Sequence, residues 1–202
     1  MDDIAIATKD LSLSLHEAAV SNILQVAKDN SLFFKLSKSI FHALAINYLR
    51  VILERGKTRM DPVKVSGVRN WPTPRCVKEV RSFHGFCNFY RAFIAEFSKV
   101  ALPFNVLTKK GQPFIWTAVT QQVFNMLKQK ITEEPVLLHP ILTQPFELEV
   151  NASGFAIGAV LMQNGDNRRH PVGFYSTTLT LVECNYDIYD LELLAIVKLL
   201  QH

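Results

Sequence analysis

The stretch Trp71–Lys110 reads WPTPRCVKEVRSFHGFCNFYRAFIAEFSKVALPFNVLTKK and carries the strongest hydrophobic periodicity in the chain. Apolar side chains recur there at spacings of three and four residues. The first series is Val80, Phe83, Cys87, Tyr90 and Ile94, and after a break the second is Phe97, Val100, Phe104 and Leu107. Because this is the period of one helical stripe, it predicts two helices packed through their apolar faces.

The same stretch holds most of the excess positive charge. Its basic residues are Arg75, Lys78, Arg81, Arg91, Lys99, Lys109 and Lys110. Seven basic and two acidic side chains give it a net charge of +5, more than the +4 of the whole chain. Basic side chains interleaved with aromatic ones favour a surface that binds a phosphate backbone, and the alternative is a solvated face over a small core.

Composition places few limits on the class of protein. The chain has 202 residues, of which 49% are hydrophobic and 20% charged, enough for one domain or two small ones. No apolar run approaches the roughly 18–20 residues of a membrane span, so we expect no membrane association. The start, MDDIAIATKD, lacks the basic region of a secretory signal, and we expect an intracellular protein.

The cysteines argue against a disulfide or zinc site, and the charge of the last part of the chain argues against nucleic-acid binding there. Cys76, Cys87 and Cys184 form no C-x-x-C pair, and two of them lie on apolar helical faces, which favours buried thiols over a disulfide or zinc site. Beyond Lys110 five basic and nine acidic side chains give a net charge of −4, so this part should not bind nucleic acid unaided.

Local patterns predict the elements before the central stretch. We expect a strand over residues 1–8, a helix with Leu13, Val20, Leu24 and Ala27 on one face that ends at Asn30, and a short strand at LFFKL, residues 32–36. INYLRVILERGKTRMDP predicts a β-hairpin whose turn contains Gly56, followed by a helix that begins at Pro62.

After the central stretch, Thr117 is the expected N-cap of a third helix, which has Val123 or Phe124, Leu127 and Ile131 on its apolar face and Pro135 beyond its end. From Pro145 the period changes to two, which predicts a meander of three strands over FELEV, AIGAVLMQ and HPVGFYS. A last helix over 186–200 is expected to bury Ile188 or Tyr189, Leu193, Ile196 and Leu200.

The order of motifs in the middle of the chain resembles a known family. The run WP-x-P, VRSF-x-G-x-x-NFYR-x-FI, FSK-x-A-x-P, L-x-KK and F-x-W resembles the thumb and connection of gypsy-type LTR retrotransposon reverse transcriptases. Upstream, K-x-x-K-x-x-F from Lys35, YL-x-x-I from Tyr48, Gly56 and MDP from Met60 resemble the later half of the palm. Arg50 stands where the family usually has Gly, and Ser39 where Cys is common.

The palm resemblance implies a role for the first residues. In the family an aromatic-x-Asp-Asp box supplies two of three polymerase carboxylates, and Met1 would be its second residue. Asp2 and Asp3 would then be catalytic ligands of Mg²⁺, which activates the primer hydroxyl and neutralises the leaving pyrophosphate. The third carboxylate, the fingers and the nucleotide pocket lie upstream in that family. Without the resemblance, adjacent aspartates read as surface or turn residues.

The last third resembles the first half of a retroelement RNase H domain, on PFELEV-x-AS-x-F-x-IGAVL-x-Q, F-x-S, NY and ELLAIV. The resemblance implies two Mg²⁺ ions held by carboxylates, the first of which stands just before AS and the second in ELLAIV. Glu192 occupies the second position, as a catalytic and metal-binding residue, whereas Asn151 occupies the first. A neutral amide is a poor bridge between divalent ions, so we expect weak metal binding. The family's further aspartates lie beyond His202, and on its own Glu192 reads as a solvated helix residue.

The sequence therefore predicts an α+β chain in three parts: the end of a palm over 1–70, thumb and connection helices over 71–135, and a truncated RNase H-like mixed sheet with one helix over 136–202. The resemblance implies RNA-directed DNA synthesis and cleavage of RNA–DNA hybrids. We expect both centres to be incomplete and the partner to be duplex or hybrid nucleic acid. The alternatives are a non-catalytic nucleic-acid-binding or interaction module, and a relic that makes no stable protein.

Overall fold

The computed structural model describes residues 4–8, 12–133, 136–165 and 168–202. Its helices are α1 Leu13–Asp29, α2 Pro62–Arg69, α3 Val77–Phe89, α4 Phe97–Val100, α5 Leu102–Leu107, α6 Ala118–Thr132 and α7 Ile188–Leu200. Its strands are β1 Ala45–Tyr48, β2 Val51–Glu54, β3 Lys57–Met60, β4 Leu137–Leu138, β5 Glu147–Ser153, β6 Ala156–Gly165 and β7 Arg168–Thr178. This mixture confirms the α+β class. Among the described residues no helix is long and apolar enough to cross a membrane.

The first sheet has the order β1-β2-β3-β4 with antiparallel neighbours. Two expected strands are absent from it. Residues 4–8 form no strand, and 32–36 run as coil into a 3₁₀ turn over Leu36–Lys38, with Phe33 93% exposed. Both predictions were wrong, because apolar, β-prone residues form a strand only where a sheet edge is available to take their hydrogen bonds.

The hairpin around Gly56 is confirmed as β2–β3, and a second hairpin, β1–β2, precedes it. Its two-residue turn consists of Leu49 and Arg50, both left-handed, with φ of 48° and 68°. The prediction of a single hairpin with its turn at Gly56 implied that Arg50 lies within a strand. In the structure Arg50 lies instead in the β1–β2 turn. Glycine adopts this left-handed conformation without steric cost, so the Gly that the resemblance implies at this position would suit the turn.

The main core joins α2 to α6 and the end of β3. Every residue of the first predicted stripe, from Val80 to Ile94, is buried, and the rings of Phe83 and Phe124 lie 4.6 Å apart at its centre. The predicted cap of α6 is also confirmed. The Thr117 N–H donates to Thr120 Oγ1 at 2.8 Å, and Thr117 Oγ1 accepts from the Thr120 N–H at 3.3 Å.

The second predicted stripe occupies two short helices instead of one. α4 ends at Val100 and α5 begins at Leu102. Pro103 lies in the first turn of α5 and has no N–H to donate to the carbonyl of Lys99, so a continuous helix would lose a hydrogen bond and clash at this point. Phe97, Phe104 and Leu107 are nevertheless buried in the same core.

The second sheet is the expected meander, β5-β6-β7, and its described strands all pair antiparallel. α7 packs on β5 and β6. The predicted buried face of α7 was wrong, because Leu191 and Ala195 are buried whereas Tyr189, Leu193 and Leu200 are exposed. This helix is apolar almost all round, so its period does not select a face. A 2.6 Å ion pair from Lys198 to Glu183 helps to set the observed rotation.

The cysteines are free thiols, as expected, but only Cys87 is buried. Burial raises its pKa well above the usual range. Cys76 lies at the N-cap of α3 and Cys184 in a 3₁₀ turn, and both are exposed. The expectation of buried thiols was therefore too broad, because of the three cysteines only Cys87 lies on a helical stripe that faces the core.

Candidate nucleic-acid interface

Four of the predicted nucleic-acid-binding residues lie on or beside the first two turns of α3 and the end of α5. Lys78 and Arg81 are three residues apart on the exposed side of α3, opposite the buried Val80 and Phe83, and are therefore neighbours on the helix surface. The Arg81 guanidinium donates to the Thr108 carbonyl oxygen at 2.9 Å, which brings it beside Lys109 and Lys110. We call Lys78, Arg81, Lys109 and Lys110 the basic face.

The other three predicted residues have different surroundings. Arg75 is exposed, and its N–H donates to Glu79 Oε2 at 2.7 Å at the start of α3. The Lys99 ammonium lies 3.4 Å from Glu96 Oε1, so part of its charge is locally compensated. Arg91 is half-buried in the 3₁₀ turn after α3 and lines a cleft against β7. The structure thus places the four residues of the basic face together. Arg91 and Lys99 do not belong to this face, because Arg91 lines the cleft and Lys99 pairs with Glu96.

The cleft lies where α3, α5 and β7 meet, and its volume is about 190 Å³. Its hydrogen-bonding side chains include His84, Asn88, Arg91, Asn105, Thr177 and Thr178, and none of the described residues that line it is a carboxylate. The ring of His84 stacks on Phe97 with centroids 5.7 Å apart, and burial lowers the pKa of His84. A neutral imidazole and one guanidinium therefore face the opening near neutral pH.

Asn151, at the expected first carboxylate position, is bound to the neighbouring helix segment. Its Nδ2 donates to Glu96 Oε1 at 2.8 Å. Glu96 is itself in the left-handed region, with φ of 54°, and Gly158 is paired with Asn151 across the sheet. A Cβ at Gly158 would lie 3.4 Å from Glu96 Cγ, so the two segments approach closely there.

A buried hydrogen bond lies beside this contact. The Ser98 N–H donates to Ser176 Oγ at 2.8 Å, which ties the first turn of α4 to β7. Ser176 is only 2% exposed. Together the Asn151–Glu96 and Ser98–Ser176 bonds hold the second sheet against α4, and we call this pair of contacts the α4–sheet junction.

The described residues do not fit the implied magnesium centre. Glu192 is exposed on α7 and has no hydrogen-bond or ion-pair partner in the described part of the chain. Across residues 4–8, 12–133, 136–165 and 168–202, no three His, Cys, Asp or Glu side chains cluster as metal ligands would. Asn151 contributes no charge, and its amide is already donating to Glu96. Asp2 and Asp3 lie outside the described residues.

Sequence reasoning missed the junction and most of the cleft. Glu96 and Asn151 are 55 positions apart, and Ser98 and Ser176 are 78 apart. No local period or motif connects such pairs. Of the cleft residues, only Arg91 was predicted to bind nucleic acid, because it was counted with the other basic side chains of its segment.

Comparison with known proteins places the chain in a family. A profile of the RNase H-like domain found in reverse transcriptase matches residues 116–202. The Tf2-3 and Tf2-4 transposon polyproteins of Schizosaccharomyces pombe are each 36% identical over 204 residues, an alignment that covers the entire chain. The chain belongs to the gypsy-type retrotransposon reverse transcriptase family. It spans 15% of the length of those polyproteins.

Solved reverse transcriptases share the fold of this family member. The foamy viral protease-reverse transcriptase in complex with RNA/DNA hybrid superposes with a TM-score of 0.75 and 19% identity, over 94% of this chain and 26% of that one. The same viral protein in complex with dsDNA gives a TM-score of 0.74 over 94% of this chain and 40% of its own. The likeness confirms the fold predicted from the motifs.

Proposed function

We propose that this chain binds duplex or hybrid nucleic acid through the basic face and that, by itself, it neither extends a primer nor cleaves a hybrid. The observation that carries the binding is the grouping of Lys78, Arg81, Lys109 and Lys110 on one exposed surface. The foamy viral neighbours were solved in complex with dsDNA and RNA/DNA hybrid, which supports the same class of ligand here.

The contacts are to phosphates and carry no base preference, because lysine and arginine neutralise the backbone and leave the base edges unread. Release of counterions makes such binding steeply salt-dependent, with a log–log slope of about −0.9 for each phosphate neutralised. If all four residues of the basic face reach phosphates, the slope is about −3.6 on that principle.

The test is fluorescence anisotropy of a labelled hybrid and a labelled DNA duplex at several salt concentrations. Lys109→Ala/Lys110→Ala is expected to weaken all sequences alike and to make the slope shallower by about 1.8, which corresponds to two phosphates. The matched control is Lys28→Ala/Lys64→Ala, which removes two equally exposed lysines from α1 and α2 and should change neither quantity. Equal effects of the two double variants on affinity and salt slope would show that binding depends on the net charge of the chain and not on the basic face.

The expected lack of RNA cleavage follows from the ligand set of the described residues. A two-metal centre needs several anionic oxygens around each pair of ions, whereas Asn151 is neutral and Glu192 belongs to no group of three possible ligands in the described chain. We expect no primer extension and no RNA cutting with Mg²⁺ or Mn²⁺. Primer extension that Asp3→Asn abolishes, or RNA cleavage that Glu192→Gln abolishes, would overturn this part of the proposal and restore magnesium as the cofactor.

A further inference from the structure

The cleft between α3, α5 and β7 has the properties of an anion site. Its side chains Asn88, Asn105, Thr178 and Arg91 form no side-chain hydrogen bond or ion pair with any described residue. Thr177 makes only a long contact, 3.4 Å, to the Thr178 carbonyl oxygen. Amide, hydroxyl and guanidinium donors therefore face the same opening without an acceptor among the described residues.

Among these groups, Arg91 gives the strongest indication of an anionic ligand. A guanidinium is always charged, and a half-buried one without a carboxylate loses hydration and gains no compensating partner. Lys99, in the next helix along the chain, is by contrast exposed and paired with Glu96. An arginine in this setting is typical of a site whose acceptor is a ligand, because its planar set of donors matches the oxygens of a phosphate.

The dimensions fit a phosphate group. The cleft is open to solvent, and its volume of about 190 Å³ is more than ten times the roughly 10–15 Å³ of accessible volume that one water molecule needs. His84 is kept in place by its stack on Phe97 and can donate one further hydrogen bond. The donors come from α3, α5, the 3₁₀ turn that holds Arg91 and strand β7, so a bound tetrahedral anion would contact both the helices and the second sheet.

We propose that this cleft is a specific seat for one phosphate, with Arg91, Asn88 and Asn105 as its principal donors, and that it holds a backbone phosphate of bound duplex. The identity of that ligand as a nucleic-acid phosphate rests on the proposed function, whereas the anion site itself does not. The seat adds a fixed contact beside the α4–sheet junction, whose Ser98 also lines the cleft, to the looser contacts of the basic face.

Asn88→Asp is the sharpest perturbation because it keeps the shape of an exposed side chain and replaces two donors with a negative charge. We expect it to lower duplex affinity roughly tenfold and, like Arg91→Gln, to reduce the salt slope by about 0.9. Asn125→Asp is the matched control, since it makes the same change on the exposed side of α6. Circular dichroism and the melting temperature verify that each variant is folded.

A second measurement uses inorganic phosphate as the probe and follows the side-chain amide resonances of Asn88 and Asn105 by NMR. Saturable shifts that Asn88→Asp abolishes support the seat, and competition of phosphate with duplex identifies the backbone as its natural source. Shifts by inorganic phosphate without duplex binding would retain the anion site and refute the backbone as its ligand. If duplex binds and Asn88→Asp has no more effect than Asn125→Asp, the basic face stands and the seat is refuted.

Discussion

Replacing Asn151 with Asp tests whether this position serves as a metal ligand or as a structural contact. The substitution introduces the carboxylate that the resemblance to an RNase H domain implies at this position. In this structure, however, it also removes the amide that donates to Glu96 Oε1 at 2.8 Å and places a second negative charge at the same distance. We therefore expect Asn151→Asp to loosen the α4–sheet junction without producing a nuclease.

The size of the effect follows from the exposure of the pair. Two like charges 4 Å apart repel by about 1 kcal/mol in water and about 4 kcal/mol near a protein surface. Asn151 is exposed and the Glu96 side chain is 40% exposed, so solvent screening and rotation of the new carboxylate bring the cost to the lower end. With the lost hydrogen bond included, we expect about 1–2 kcal/mol.

For a protein of this size, that loss lowers the melting temperature by about 2–8 °C at pH 7. The loss should diminish on acidification. Repulsion raises the folded-state pKa of the new carboxyl pair above its unfolded value, so the variant gains stability relative to wild type as pH falls through that raised pKa. Thermal melts at pH 7 and pH 4, followed by circular dichroism, measure both effects.

The control is the double variant Glu96→Gln/Asn151→Asp, in which the amide and the carboxylate exchange places. The double variant again places a donor opposite an acceptor. We therefore expect Asn151→Asp to cost much less stability in the Glu96→Gln background than in the wild-type protein. An Asn151→Asp protein as stable as wild type, or one that cuts RNA in a hybrid with Mg²⁺, would refute the reasoning.

Three further expectations concern stability and reactivity. Leu49→Asn/Arg50→Gly should raise the free energy of unfolding by about 1–2 kcal/mol in urea titrations, because both positions are left-handed and Asn-Gly suits this turn; no gain would contradict the turn geometry. In thiol titration with a chromogenic disulfide, Cys87 should react only after unfolding, while the other two cysteines react at once. The Lys198 ammonium lowers the pKa of Glu183 to about 2. The stabilisation from this pair should therefore be full above pH 4.5 and be lost progressively as pH falls from there to about 2. In the Lys198→Met variant, NMR titration should find the pKa of Glu183 shifted back toward 4.5.

Local sequence patterns determined much of the fold. The stripe from Val80 to Ile94, the cap at Thr117 and the hairpin at Gly56 all rest on interactions within a few residues, so spacing and residue type were sufficient to predict them. The motifs also identified the family before any tertiary contact was known.

The tertiary structure decided whatever depends on distant partners. The residues 32–36 lack a strand partner, and α7 is apolar nearly all round, so neither the missing strand nor the buried face could be predicted from period alone. Asn151 looked like a lost metal ligand, and only its approach to Glu96, 55 residues earlier in the chain, shows it as a hydrogen-bond donor to α4. Such contacts arise when the second sheet packs on the helices, a geometry that no local stretch of sequence encodes.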